Sequence, residues 1–199
     1  MIRIMKKLGM IFLAAALLLP LGFRASAQIS IGAGPAARLF FNKGNEVSNI
    51  FGVQVSFEDS HRVSDVFGFS AGLDFGTYKK KDFFITGNVK QGLSEMYLDV
   101  PVRLKLYIPF SDDFQLFFFA GPVPSVCIGS HVLFEKEKVS RFGDNATYTR
   151  FDVLAGGGLG FEIGEHFKLA AGYDHGLLNR YKGENLHVAA AKVTAAFMF

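Results

Sequence analysis

The sequence predicts an all-β protein, an eight-stranded antiparallel up-and-down transmembrane β-barrel of the outer-membrane type. Three observations lead to this fold class. Apolar and polar residues alternate with a period of two through long segments, the segments are joined by connections that alternate between short and long, and one parity is continuously apolar and rich in phenylalanine. A period of two is the mark of a strand with two different faces.

The clearest pair of strands is a hairpin between Thr147 and Leu178. In its first arm large apolar residues such as Phe151 and Phe161 hold one parity, while glycines and charged residues hold the other. After a turn at Gly164–His166 the alternation resumes. Each arm is about a dozen residues long, whereas soluble strands usually have about five or six. A tilted strand of about 9–11 residues crosses a bilayer.

The remaining strands follow the same alternation. Six further strands are predicted at about Gln28–Phe41, Asn49–Glu58, Asp65–Tyr78, Leu93–Ile108, Phe114–Ser130 and His187–Phe199. With the two hairpin arms they make eight. The fifth strand of the chain is apolar on both parities and contains Pro122 and Pro124, so its register is left open.

The predicted connections alternate in length. Short turns are expected at Asp59–Ser64, Pro109–Asp113 and Gly164–Glu165, and longer polar connections at Asn42–Ser48, Lys80–Gly92, His131–Thr147 and Asn179–Leu186. Outer-membrane barrels have short periplasmic turns and longer external loops. An even number of strands then leaves both termini on the periplasmic side.

Residues 1–27 have the features of a secretory signal peptide. Three basic residues precede an apolar run over residues 8–21, and Ala25-Ser26-Ala27 forms an A-x-A cleavage site. The run is shorter than the about 20 residues of a spanning helix. We therefore expect cleavage after Ala27, with residues 28–199 forming one barrel domain in the outer membrane of a Gram-negative bacterium.

Removal of this leader changes the charge balance. The chain has 21 Lys and Arg residues against 18 Asp and Glu residues, but the leader holds four of the basic residues and none of the acidic ones. The mature net charge is therefore about −1, which gives no electrostatic case for binding nucleic acid. The single cysteine, Cys127, cannot form an internal disulfide, and its small apolar neighbours indicate a packing role.

The volume of an eight-stranded barrel decides which parity faces inward. Such an interior is only just wide enough for side chains to fill, and a soluble barrel with this much exposed hydrocarbon would aggregate. The apolar parity is therefore predicted to face lipid. Its phenylalanines are Phe41, Phe51, Phe57, Phe67, Phe69, Phe75, Phe151, Phe161, Phe167, Phe197 and Phe199.

The other parity places a nearly balanced set of charges in the lumen. Buried charges are tolerated when they are paired and hydrogen-bonded, so the set predicts an ion-pair network that plugs the barrel, and a proton or ion path is the alternative. The predicted network is Arg38, Glu58, Asp74, Glu95, Asp99, Arg103, Lys105, Arg150, Asp152, Glu162, Lys168, Asp174 and Lys192.

Several short motifs carry a family resemblance. They are Tyr97-Leu98-Asp99-Val100-Pro101 with Arg103-Leu104-Lys105, Phe119-Ala120-Gly121-Pro122, Gly156–Gly160, and Ala171–Leu177. In this order they resemble the PorT-type, porin-like outer-membrane β-barrel family of Bacteroidetes. The resemblance covers most of the mature chain and implies an outer-membrane barrel, with no catalytic residues and no cofactor or metal site to carry over.

The C-terminus resembles the signal that the barrel assembly machinery recognises. That signal ends in an aromatic residue with another hydrophobic residue two positions earlier, and Phe199 and Phe197 match it. Thr194 stands where glycine is common, so the match is partial. The resemblance implies the assembly machinery as a partner.

Three classes of function remain open from the sequence. The first is a non-enzymatic envelope protein that contacts an external or envelope protein partner through residues 80–92 and 131–147. The second is a narrow channel or transporter for small solutes. The third is a membrane-embedded enzyme, although no nucleophile, base and orienting acid converge at one rim. The glycines of the inward parity favour the channel, because they could leave water-filled space.

Overall fold

The computed structural model describes residues 26–86, 89–111, 113–133, 137–142, 148–181 and 185–199. The predicted signal peptide lies outside the described residues, apart from Ser26 and Ala27, which begin the first strand. No helix in these ranges is long and apolar enough to cross a membrane.

The described chain is built from antiparallel strands. In chain order they are β1 (Ser26–Asn42), β2 (Asn45–Arg62), β3 (Phe67–Thr86), β4 (Val89–Asp99), β5 (Val102–Ser111), β6 (Phe114–Leu133), β7 (Lys138–Ser140), β8 (Phe151–Ile163), β9 (Phe167–Gly176) and β10 (Leu186–Met198). β6 pairs with β8, β8 with β9 and β9 with β10, and β10 returns to pair with β1.

The pairing closes a ring of eight wall strands. β4 and β5 are two halves of one wall strand, since both pair with β3 on one side and with β6 on the other. They are separated only by Val100 and Pro101. β7 is a three-residue strand that pairs with the external end of β6. The predicted eight-stranded antiparallel barrel is therefore confirmed.

Two of the predicted long loops are mostly strand, which corrects the expected layout. β1 and β2 are joined by the two residues Lys43 and Gly44, whose φ angles are 50° and 84°. Positive φ at both central positions is the geometry of the tight hairpin turn that suits twisted strands. The predicted loop at 80–92 is likewise the tip of a hairpin, because β3 continues to Thr86 and β4 starts at Val89. Both segments therefore lie mostly in paired strands and not in loops.

β6 keeps one register against both halves of the neighbouring wall strand, from Gln115 to Cys127. β6 pairs with β5 up to Ala120 and with β4 from Ser125 onward. Pro122 and Pro124 lie between these two ladders, where a missing N–H group is tolerated. The odd-numbered residues face the lumen as far as Cys127, which is fully buried.

The outer wall carries the apolar belt that the parity predicted. Phe51, Phe67 and Phe167 are 65%, 60% and 61% exposed. None of the predicted lipid-facing phenylalanines is buried within the described chain. In lipid, an exposed apolar belt around a closed ladder of strands is the stable arrangement, since every backbone group is paired within the wall.

Candidate functional site

The candidate functional residues lie in the lumen. Nearly all the charged residues that the sequence analysis predicted to face inward are found there. They form clusters along the barrel axis, called the lumen network from here on. The clusters run from Arg62 and Glu162 near the short turns to Glu95 and Arg141 near the opposite end.

The cluster nearest the short turns is centred on Glu58. Its Oε1 accepts hydrogen bonds from the Nζ atoms of Lys105 and Lys168, each at 2.6 Å. Lys105 also donates to Ser60, and Lys168 donates to Ser30. One carboxylate is therefore shared by two ammonium groups, whose other donors are taken up by hydroxyls.

The middle of the lumen holds two linked ion pairs. Arg103 donates to both carboxylate oxygens of Asp174 at 2.7 Å, and also to the carbonyl oxygen of Gly121 at 2.8 Å. Lys192 pairs with Asp74 at 2.5 Å and lies 3.9 Å from Asp174. The second contact joins the two pairs into one cluster.

Toward the loop end, Arg38 pairs with Asp99 at 2.5 Å, and Ser125 donates to the other oxygen of that carboxylate. Beyond it, Glu95 accepts hydrogen bonds from Tyr97 at 2.6 Å and from Ser130 at 2.7 Å. Both carboxylates are buried. The partners of Asp99 lie on β1 and β6, and those of Glu95 lie on β4 and β6.

The ion pairs connect opposite sides of the barrel. Glu58 on β2 meets Lys168 on β9, and the path around the wall between them passes through β1 and β10. Arg103 on β5 meets Asp174 on β9 across β6 and β8. Because these partners lie three strands apart along the wall, their side chains cross the lumen and fill it.

Inward phenylalanines occupy the space that the glycines leave. Phe117 and Phe119 face the lumen, and a Cβ added at Gly160 would come within 2.4 Å of Phe117 Cζ. A Cβ at Gly158 would come within 2.5 Å of Phe119 Cζ. The expectation that glycines could leave open space therefore fails at these positions. Their missing side chains make room for aromatic rings on β6.

The loop end of the lumen is closed by an aromatic cluster with arginines between the rings, called the external cap below. Tyr148 lies between the guanidinium groups of Arg141 and Arg180, whose carbons are 3.9 and 4.9 Å from the ring centroid. Tyr97 has Arg38 at 4.0 Å and Arg180 at 5.6 Å from its ring centroid. Guanidinium groups are attracted to the faces of such rings.

Apolar side chains complete the external cap. Phe40, Ile50, Tyr78, Leu93, Cys127 and Val188 are buried with Tyr97 and Tyr148, and Phe142, Tyr181 and Leu186 pack against them. Backbone hydrogen bonds fix the loops in place, because Thr149 donates to the Arg180 carbonyl and Arg180 donates to the Leu186 carbonyl. Burial raises the pKa of the Tyr148 hydroxyl, so this group is neutral.

Two buried charges lack a complete set of partners. All three guanidinium nitrogens of Arg180 lack a hydrogen-bond partner within the described chain. Asp152 accepts hydrogen bonds from the Val153 and Leu178 backbone through Oδ1, while its Oδ2 has no partner there. The Tyr97 and Tyr148 rings therefore lie against a guanidinium group that has no hydrogen bond within the described chain.

Arg150 is the sequence-predicted lumen residue that the structure places elsewhere. It is exposed and lies just before β8, and its guanidinium carbon is 4.1 Å from the centroid of the Phe142 ring. The other predicted members lie in the lumen, where most are buried. The prediction for Arg150 was wrong because the parity of β8 was extended past the strand's first residue, Phe151.

Sequence reasoning missed three charged residues of the lumen. Arg62 was predicted to lie in a turn, but it is in β2 and pairs with Glu162 at 2.5 Å. It is four residues after Glu58 and has the same parity, so a longer predicted strand would have placed it in the lumen. Arg141 and Arg180 lie in connections without periodicity, and no signal in the sequence indicates that they fold inward.

Cavities remain at two levels of the described lumen. One, of about 420 Å³, lies at the mouth beside the short turns and is lined by Arg62, Gln115, Glu162, His166 and Phe199 among others. The other, between the Glu58 and Asp174 clusters, measures only about 60 Å³, enough for a few water molecules. In the described part of the chain, no three His, Cys, Asp or Glu side chains come together as metal ligands would.

A closed eight-stranded ring with an apolar outer belt and a charged, filled lumen defines the class of outer-membrane β-barrel proteins. The chain belongs to the outer membrane protein β-barrel domain family, whose model matches residues 11–199. This family supports a location in the outer membrane. No curated protein matches the chain.

Solved structures with the same fold are distant in sequence. Ail, the attachment invasion locus protein of Yersinia pestis, solved with the heparin analogue sucrose octasulfate, is 15% identical over 87% of this chain and 99% of its own, with a TM-score of 0.52. Neisserial surface protein A is 11% identical over 86% and 97%, with a TM-score of 0.50. The outer membrane enzyme PagL is 10% identical over 85% and 97%, with a TM-score of 0.50. At these identities the similarity concerns the fold alone.

Proposed function

We propose that this protein is a non-enzymatic outer-membrane barrel that acts in the envelope through its external end and does not conduct solutes. The lumen network carries this proposal. Its ion pairs cross the lumen at successive levels, and the external cap closes the loop end above them. A solute would have to break several buried ion pairs to pass, and each broken pair leaves a buried charge without compensation.

The chemistry of the lumen also favours a structural role over catalysis. Its carboxylates and amines are engaged with one another, whereas a general base or nucleophile needs access to a substrate. His175 faces outward while its neighbour Asp174 is buried in the lumen, so these two side chains do not form an acid–base pair. Arg180 and Asp152 are the buried exceptions to this pairing, and no third group of an acid–base set is described beside them. We therefore favour partner binding at the external end.

The external end offers a fixed surface for such a partner. The described part of the connection at 131–147 is tied to β6 through β7, which presents the exposed side chains Lys138, Val139 and Ser140. The hairpin at 80–92 rises beside it. An envelope or extracellular protein partner would meet this surface.

Export and assembly complete the proposal. The chain would be exported with cleavage after Ala27 and inserted by the barrel assembly machinery through Phe197 and Phe199. These two residues are 40% and 70% exposed on the outer wall, where a recognition signal is accessible. The motifs from Tyr97 to Leu177 further suggest a place among the PorT-type barrels of Bacteroidetes.

Single-channel recording in planar bilayers tests the proposal against the narrow-channel alternative. We expect no steady conductance from the wild-type barrel, with an open porin as the positive control. Arg103→Ala and Asp152→Ala, which remove lumen charges, are recorded alongside. Steady wild-type conductance whose ion selectivity changes in these two variants would show that the lumen conducts.

A further inference from the structure

The charged residues that the described chain exposes are unequally divided between the two ends of the barrel. At the short turns the exposed charged residues are Asp65, Asp113 and Glu165. At the opposite end they are mainly basic: Lys43, Lys79, Lys81, Lys138 and Arg150, against Glu46, Asp82 and Glu137. Among the described residues, the external end is therefore the more positive end of the barrel.

Part of this positive charge forms one surface across adjacent strands. Lys79 on β3 pairs with Ser94 on β4, Ser94 pairs with His131 on β6, and His131 pairs with Ser140 on β7. These four residues thus make one row. Neighbouring strands lie about 4.8 Å apart, so Lys79 and His131 are within reach of a common ligand.

A second row lies directly beyond the first. Gly92 on β4 lies against Lys81, because a Cβ there would come within 3.0 Å of the Lys81 carbonyl oxygen. Gly92 pairs with Leu133 on β6, and Leu133 pairs with Lys138 on β7. The two rows bring together Lys79, Lys81, His131 and Lys138, called the basic patch below.

The basic patch lies on the outer wall at the edge of the apolar belt. Lys79 pairs with Phe51, which is 65% exposed and faces lipid. Beneath the patch, Met96 on β4 and Ile128 on β6 are 37% and 43% exposed. With lipid around these apolar side chains, the headgroups would begin at the level of the lysines, whose flexible stems can extend along the apolar surface.

The lysines of the patch are available to a ligand. Lys79, Lys81 and Lys138 are exposed, and none forms an ion pair within the described part of the chain. On the opposite wall, the outward residues at the same level are Tyr173, His175 and His187. The four side chains of the patch therefore share one sector of the wall, with Lys43 and Arg150 outside it, and can bind one headgroup locally.

We propose that the basic patch binds the phosphate-bearing headgroup of a lipid in the external leaflet, across β3, β4, β6 and β7. The phosphate would accept hydrogen bonds from Lys79 and Lys81 on one side and from Lys138 and His131 on the other. The lipid's acyl chains would lie against Phe51, Met96 and Ile128. A soluble anion would use only the hydrogen bonds to the phosphate, whereas a lipid would also use the apolar contacts of its acyl chains.

Native mass spectrometry of the full barrel in neutral detergent tests this binding. The probe is phosphatidic acid, compared with phosphatidylcholine of the same acyl chains. We expect Lys79→Gln with Lys81→Gln to weaken phosphatidic acid binding about 25-fold, since each lysine near an anionic headgroup contributes about fivefold. Lys43→Gln with Arg150→Gln, which removes two exposed charges of the same end outside the patch, should leave binding unchanged.

Two outcomes would overturn the proposal: equal losses in the two double variants, or inorganic phosphate displacing the lipid at the same concentration as phosphatidic acid itself. Heat-modifiable gel migration confirms that each variant is folded. The proposal requires the barrel to lie in a membrane but does not require a closed lumen. A conducting barrel would therefore refute the proposed function and leave this binding prediction standing.

Discussion

Arg103 on β5 and Asp174 on β9 face each other across the lumen, with the guanidinium nitrogen 2.7 Å from both carboxylate oxygens. The side chains are 3% and 1% exposed. Replacing Arg103 would leave a buried carboxylate with only Lys192, 3.9 Å away, as a cation.

We therefore expect Arg103→Ala to lower the free energy of unfolding by about 3–5 kcal/mol, the cost of an uncompensated buried charge. Urea unfolding in detergent micelles measures it. The double variant Arg103→Met with Asp174→Leu should recover most of the loss, because it removes both charges and keeps the volume. Arg150→Ala, at an exposed arginine, is the control. A double variant less stable than Arg103→Ala would contradict this account.

A second prediction concerns the fit between Gly172 and Phe119. A Cβ at Gly172 would lie 3.0 Å from Phe119 Cζ and 3.2 Å from Cε2, and its nearest backbone atom is 3.5 Å away. Gly172→Ala should therefore cost about 1–3 kcal/mol through overpacking. Adding Phe119→Leu should reduce that cost, since only the ring is crowded. Strict additivity of the two changes in a double-mutant cycle would argue against direct contact.

Cys127 serves as a natural reporter of the external cap. It is fully buried beneath Tyr97 and Tyr148, and its Sγ donates to the Gly129 carbonyl at 3.4 Å. We expect negligible labelling by a water-soluble thiol reagent in the folded wild-type barrel, and at least tenfold faster labelling in Tyr148→Ala, which removes the ring between Arg141 and Arg180. Val139→Ala, at an exposed position, should leave labelling slow. Rapid wild-type labelling would show that the cap is open.

The assembly signal can be tested with two equally exposed phenylalanines. Phe199 is 70% exposed at the C-terminus and Phe110 is 66% exposed at the end of β5. If the terminal aromatic residue is recognised, Phe199→Ala should reduce the folded, membrane-inserted fraction in cells severalfold, and Phe110→Ala should not. Heat-modifiable migration of outer-membrane fractions measures this. If Phe199→Ala and Phe110→Ala reduced the inserted fraction equally, the loss of a lipid contact would explain both defects, and recognition of Phe199 would not be needed.

The period of two predicted the fold and much of the lumen, because each strand presents alternate residues to opposite faces. Glu58, Lys105 and Asp174 were assigned to the lumen on parity alone. Parity gives no information on partners across the lumen. The contacts of Glu58 with Lys105 and Lys168 therefore required the ring geometry, which sets which strands face each other.

Residues outside regular strands could not be predicted in this way. Arg180 enters the lumen from the connection between β9 and β10, and its burial depends on Tyr97 and Tyr148, which are distant in sequence. Phe117 and Phe119 face inward because they pair with Tyr107 and Lys105, which are inward residues of β5. Both parities of β6 are apolar, so its sequence alone does not show which parity is inward.

The crossing of ion pairs through the lumen has a consequence for the order of folding. Arg38 on β1 pairs with Asp99 on β4, and Lys192 on β10 pairs with Asp74 on β3. Individual hairpins can form without these contacts, because neither pair lies within one hairpin. We therefore expect these charges to stay solvated in an open sheet and to lose most of their water as β10 meets β1. Desolvation and pairing occur together, so closure of the ring is the step that selects a correctly assembled barrel from partly formed sheets.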